Sequence, residues 1–168
     1  MTIRLEEVQL SEHAPLIDAW LHLPHVSRWW GDPAWRTVQL RETPDHEHAV
    51  IAYDGVSEGA GPIGYVRWQA VDRETLDSVG LTDLPDGSID IDLFIGDASY
   101  LGRGLGVRIL NALARHLQQT TDVQVIGLTT SVDNLRALRA FEKAAFQKHL
   151  RYDDDTFGPC WILIRKIR

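Results

Sequence analysis

Apolar and polar residues alternate from Ile3 to Val8, the period of a half-buried strand. Leu16, Ile17, Trp20 and Leu21 then fall on one face of a helix that Ser11 is placed to cap and Pro24 to end. The stretch HVSRWWGDPAW (25–35) is short, aromatic and punctuated by Gly31 and Pro33, which predicts a brief helix and a loop. Residues 48–55 and 61–71 predict a hairpin that turns at Asp54-Gly55. Residues 72–87 are polar and acidic, with turn residues throughout, and form the longest loop-like insertion. The clearest strand is 88–96, with Ile89, Ile91, Leu93 and Ile95 on one face and Ser88, Asp90, Asp92 and Phe94 on the other. After a glycine-rich turn, Leu105, Ile109, Ala112, Leu113 and Leu117 make the stripe of a buried helix. Residues 123–130 predict a strand. Residues 133–146 predict a helix capped by Asp133, with Leu135, Leu138 and Phe146 inward, and 147–152 with 160–167 predict a terminal hairpin. The order β-α-β-β-β-α-β-α-β-β describes one α/β domain over residues 1–168, a mixed sheet with helices on both faces.

Composition narrows the field. At 168 residues, with 44% hydrophobic and 24% charged, the chain has enough apolar surface for a core without a disulfide or metal staple. Cys160 is the only cysteine, so no internal disulfide and no multi-cysteine zinc site is available, and no metal is expected. No apolar run approaches the ~20 residues that span a bilayer, and acids interrupt the N-terminal segment where a signal peptide needs apolar residues. A cytoplasmic location is the expectation. The net charge of −7 argues against nucleic acid and anionic membranes as partners, and suits a cationic ligand. Six tryptophans are many for this length, and Trp29, Trp30 and Trp35 lie within seven residues of one another.

The candidate chemistry starts at Leu101-Gly-Arg-Gly-Leu-Gly-Val107, between a buried strand and a helix start. Backbone N–H groups there can wrap a phosphate, the helix dipole favours the anion, and glycines permit close approach. The phosphate loop of nucleoside triphosphatases ends in Gly-Lys-Ser/Thr, but here Gly106 precedes Val107 and Arg108. The dinucleotide fingerprint needs G-x-G-x-x-G after a first strand, whereas this spacing is G-x-G-x-G after a fourth.

Leu101-Gly-Arg-Gly-Leu-Gly106 resembles the pyrophosphate loop of the Gcn5-related N-acetyltransferases (GNAT superfamily), written Q/R-x-x-G-x-G/A, with Leu101 in place of the usual first residue. The resemblance implies acetyl-CoA as co-substrate, held by Phe94, Ile95, Gly102, Arg103, Gly104, Leu105, Gly106, Val107 and Asn134. Its pantetheine arm would lie between two splayed strands, beside a bulge near Phe94, with Arg103 and Arg108 adding charge near the phosphates. Within that superfamily, Arg28-Trp-Trp-Gly31, Ile91-Asp-Leu-Phe-Ile-Gly96 with the glycine loop, and the stretch 133–146 look like the aminoglycoside 6'-N-acetyltransferases. By that resemblance Asp92 receives or orients the acceptor amine, and Trp29 and Trp30 belong to the acceptor pocket. Two positions depart from the family pattern. Phe141 stands where a tyrosine often serves as acid for the leaving thiolate, which leaves that role to water, Tyr100 or Tyr152. Thr129 stands where an aspartate often grips the cationic sugar.

The expected acceptor is therefore the primary amine of a cationic small molecule, an aminoglycoside first. A lysine-type or siderophore amine comes second, and a peptide N-terminus third. A non-catalytic CoA-binding module is the rival from another class, and a monomer or homodimer suits either. Other candidates have plainer readings: one of the two tryptophans plugs the core, Asp92 is a salt-bridged strand carboxylate, Cys160 is a buried inert thiol, His22/His25 and His46/His48 are ordinary surface histidines, and Asp153–Asp155 is a solvated turn.

Overall fold

In the computed structural model, which describes residues 2–41, 47–55 and 61–168, seven strands form one sheet. In chain order the elements are β1 (Ile3–Glu7), α1 (Leu10–Leu21), α2 (Pro24–Trp30), α3 (Pro33–Arg41), β2 (Glu47–Asp54), β3 (Pro62–Val71), α4 (Arg73–Ser78) and β4 (Ser88–Ile95). A short 3-10 turn (Ala98–Tyr100) follows, then α5 (Leu105–Thr120), β5 (Val125–Ser131), α6 (Leu135–Lys143), β6 (Gln147–Asp154) and β7 (Gly158–Lys166). The sheet order is β1-β2-β3-β4-β5-β7-β6, and its single parallel contact is β4 with β5. The α5 helix makes that crossover, as a parallel connection requires.

One sheet face is covered by α5 and α6. Ile109, Leu110, Leu113 and Leu117 of α5 and Leu138 and Phe141 of α6 pack on Val66, Trp68, Ile89, Ile91, Ile126 and Leu128. The other face carries two separate apolar clusters. At one end Ile17, Trp20 and Leu21 of α1 and Val26 of α2 cover Ile51, Tyr65 and Phe94. At the other end Leu76, Leu81 and Leu84 of the 72–87 segment cover Val125 and Ile162. Between the two clusters, strand alternation exposes a strip of Arg67, Gln69, Asp90 and Asp92.

Several local expectations change. The first helix begins at Leu10, one residue before Ser11. Gln9 occupies the cap position, and its N–H donates to His13 Nδ1 at 2.9 Å. Pro24 does not merely end that helix; it opens α2 from the first position, where a missing N–H costs nothing. The anticipated loop after Trp30 holds α3. The acidic insertion is a capped helix and turns over buried leucines, with Asp72 accepting from the Thr75 N–H. The α6 cap is Asn134 rather than Asp133, Leu135 is 58% exposed, and Phe146 lies beyond the helix, buried after a left-handed Ala145 (φ 65°). No register shift interrupts the β3–β4 ladder from Gly64/Ile95 to Val71/Ser88, so the expected bulge near Phe94 is absent from that pairing. His46 lies outside the described residues. His48 stacks on Trp68 at 5.3 Å, and His22 bonds the Asp18 carbonyl.

Candidate active site

The β4–β5 ladder holds at Ile89↔Ile126 and Asp90↔Gly127 and then stops, among the described residues. On its outer side β4 stays paired with β3 as far as Gly64↔Ile95, and β5 stays paired with β7 as far as Ser131↔Cys160. The sheet thus splits between two intact halves, opening toward the C-terminal ends of both strands.

The glycine loop stands at the open end. Gly102 (φ 78°) and Gly104 (φ 73°) adopt left-handed backbone that other residues pay to reach, and space lies open where Cβ atoms would project from Gly102, Gly104 and Gly106. Gly104 is the cap of α5 and supplies no side-chain acceptor, and the first turn of this 16-residue helix holds no acid. Its N–H groups and dipole suit an anionic group such as a pyrophosphate. Arg103 sits on the exposed loop, 5.5 Å from the Tyr100 ring. Arg108, expected beside the phosphates, instead pairs with Asp54 of β2 at 2.9 Å. Asn134 flanks the far side of the gap. Its Oδ1 accepts from the Ala137 N–H, and its Nδ2 donates to Thr130 Oγ1 at 3.2 Å.

Asp92 lies on β4 two residues past the point of separation. Arg67, its cross-strand partner on β3, donates Nε–H and Nη2–H to Asp92 Oδ2, both at 2.8 Å. Arg36 of α3 joins the same strip. It donates Nε–H to the Trp30 carbonyl at 2.7 Å, and burial depresses its pKa while Asp92 and Asp154 favour its charged form. The salt-bridged reading of Asp92 is therefore correct in geometry, and it leaves the carboxylate within a half-exposed strip. Trp30 stands edge-on to Phe94 (4.8 Å, 89°) and faces Tyr65, so it is the member of the pair that closes the core. Trp29 is half-buried, with the Arg28 guanidinium 4.8 Å from its ring.

Phe141 is a buried core residue. Tyr152 donates to Asp154 Oδ2 at 3.2 Å, and burial, with Asp154 adding to it, raises its phenol pKa above the ordinary range. That hydrogen bond commits the Tyr152 phenol proton to Asp154. Asp154 is spent within its turn, accepting from the N–H groups of Thr156 and Phe157 at 2.8 Å. Cys160 is buried, and burial raises its thiol pKa.

Three residues escaped the sequence reading: Arg67, Arg36 and His25. Arg67 carries a signal, as the only charge in β3. Arg36 carries none, because Gly31 and Pro33 predict a loop where α3 forms. His25 looked like a surface histidine, yet its Nε2 bonds the Ile95 carbonyl at 3.0 Å and ties α2 to the end of β4.

A parallel pair split beside a glycine-capped helix, with a carboxylate beside the gap, is the arrangement that the resemblance to the acyl-CoA-dependent transferases implies. Residues 9–153 match the model of the acetyltransferase (GNAT) domain, and the chain belongs to that family of acetyltransferases. It is 32% identical over 155 residues to the aminoglycoside N(6')-acetyltransferase type 1 of Klebsiella pneumoniae, covering 88% of this chain and 74% of that protein. Among solved structures it resembles AAC(6')-Ib in complex with paromomycin and acetyl-CoA (TM-score 0.78, 25% identity, covering 99% and 94% of the two chains). It also resembles AAC(6')-Ib with coenzyme A and kanamycin (TM-score 0.77, 25% identity, covering 98% and 95%).

Proposed function

We propose that the protein transfers an acetyl group from acetyl-CoA to a primary amine of an aminoglycoside, acting in the cytoplasm. The observation that carries this reading is the split between β4 and β5, with the glycine loop at its open end and Asp92 on its edge. The buried, unpaired Cys160 suits a reducing compartment. No helix among the described residues is long and apolar enough to cross a membrane.

Bound acetyl-CoA supplies an activated thioester. The residues that fit it are Phe94 and Ile95 on the free edge of β4, the 102–107 loop for the pyrophosphate, and Asn134 at the end of β5. The chain's own work is on the acceptor. Asp92 draws the acceptor's ammonium to the strip and takes its proton, directly or through water, so that the nitrogen lone pair becomes nucleophilic. Arg67 keeps the carboxylate in place through two bonds on one oxygen. Backbone N–H groups of β4 beyond Asp90, where the ladder with β5 has ended, would supply donors for the charge that develops on the thioester oxygen. Trp29 provides a flat wall for a sugar ring, and Trp30 fixes that wall to the core.

A second reading, a lysine-type amine as acceptor, has one observation in its favour. Arg36 and Arg67 place two guanidinium groups beside Asp92, and an acceptor that carries a carboxylate gains from them where a polycation does not. The test is a panel of kanamycin-type sugars, hydroxylated lysine, spermidine and short peptides with acetyl-CoA, reading thiol release. Turnover with the sugars is the expected result. Turnover with hydroxylysine or peptides and none with any sugar would replace the first reading.

A further inference from the structure

The sheet face that carries Asp92 also holds a cavity of about 310 Å³, roofed by the 72–87 segment. Its walls are mixed, with an aliphatic patch in which Leu76, Leu81 and Leu84 come from the roof, and Val125, Ile162 and Ile164 from β5 and β7. Its position matters more than its size. Ile89 and Asp90 on one side and Gly127 and Leu128 on the other line it, and these residues include the last pair before β4 and β5 separate. The cavity therefore abuts the closed end of the gap.

Chain direction gives this a consequence. The two parallel strands part toward their C-terminal ends, and the glycine loop follows the C-terminal end of β4. An arm anchored at that loop and lying in the gap points its thioester end at the closed end. Whatever extends from the acyl carbon continues toward the aliphatic patch. An alkyl chain laid against the aliphatic patch gains with every methylene buried. Asp90 and Tyr152, with Gln69, Ser88 and Thr129, make the polar side of the cavity, and Asp72 and Thr75 add polar groups at the roof.

We propose that this cavity is a pocket for the alkyl part of the donor's acyl group, so that the enzyme accepts straight-chain acyl-CoA thioesters longer than acetyl. The proposal rests on the gap being the acyl-CoA site. The reaction balance is that of acetyl transfer: the amine nitrogen bonds to the acyl carbon, the carbon–sulfur bond breaks, the amine loses one proton, and the sulfur departs as the thiol of CoA after taking one up.

The test is calorimetric titration of the purified full chain with CoA and with acetyl-, propionyl-, butyryl- and hexanoyl-CoA, followed by kcat/KM for each thioester with one acceptor. Affinity is expected to rise by about threefold per methylene through hexanoyl. In Val79→Trp, which brings an indole in from the roof, the ratio of hexanoyl- to acetyl-CoA affinity is expected to fall at least tenfold. The wild-type series decides by itself if that variant does not fold. Binding of CoA with an affinity that stays flat or drops as the chain lengthens would overturn the pocket and leave the acetyltransferase reading standing. Failure of CoA itself to bind would overturn both. A Val79→Trp protein with a raised acceptor KM and an intact acyl gradient would give the cavity to the acceptor, against the proposal.

Discussion

Asp92→Asn separates catalysis from architecture, because the structure predicts unequal losses in the two. The Arg67 and Asp92 side chains are 19% and 38% exposed, and two 2.8 Å bonds join them. Exposed pairs contribute about 0.2–1 kcal/mol, and removing one partner of a fully buried pair costs about 3–5 kcal/mol. This pair lies between those limits and nearer the first, so neutralising Asp92 should cost about 1–2 kcal/mol of stability. For a chain of this length that corresponds to a melting shift of about 3–6 °C. If Asp92 takes the acceptor's proton, kcat/KM should fall by about 10²–10⁴. That is roughly 3–5 kcal/mol of barrier, more than the fold loses. Melting is followed by differential scanning fluorimetry and transfer by thiol release, for Asp92→Asn, Arg67→Gln and the double variant. The double variant closes the cycle. With a catalytic Asp92 it stays as inactive as Asp92→Asn, whatever its melting temperature. Activity of Asp92→Asn within tenfold of wild type, or recovery of activity in the double variant, would refute the assignment and leave Asp92 a strand salt bridge.

Gly96→Ala places a Cβ within 2.0–2.5 Å of three atoms of the buried Trp20 indole, so a loss of about 3 kcal/mol is expected, and Trp20→Leu should restore part of it in thermal melts. Ala145→Gly should stabilise the protein by about 1 kcal/mol, or about 2–4 °C, because Ala145 holds φ 65° in a helix-ending motif that glycine adopts without strain; an unchanged or lower melting temperature would contradict this. Cys160 should resist thiol reagents at pH 7–8 until the protein is unfolded, and Cys160→Ala should keep its transferase activity. Because burial and then Asp154 raise the folded thiol pKa above its unfolded value, the stability linked to the neutral thiol is complete below about pH 8.5 and is lost as pH rises toward the folded value. Cys160→Ala should flatten that alkaline decline in denaturant titrations.

The sequence alone determined what depends on local periodicity and backbone chemistry. Alternation from Ser88 to Ile95 set the strand and put Asp92 and Phe94 on one face. The stripe from Leu105 to Leu117 set α5, and the glycines before it announced a helix start open to an anion. Those features follow from the 2.0 and 3.6 periods and from φ freedom, and neighbours are not needed to read them. Tertiary structure decided what depends on which strands meet. The adjacency of β4 and β5, and the residue at which they part, belongs to no single segment. The Arg67–Asp92 pair required the β3–β4 register, and Arg36 required α3 to fold back onto the strip. The 72–87 segment shows the difference most clearly. Its acids and turn residues dominate any local window, so it reads as a solvated loop. Leu76, Leu81 and Leu84 become a roof only because Val125 and Ile162, far along the chain, offer them an apolar floor to bury against.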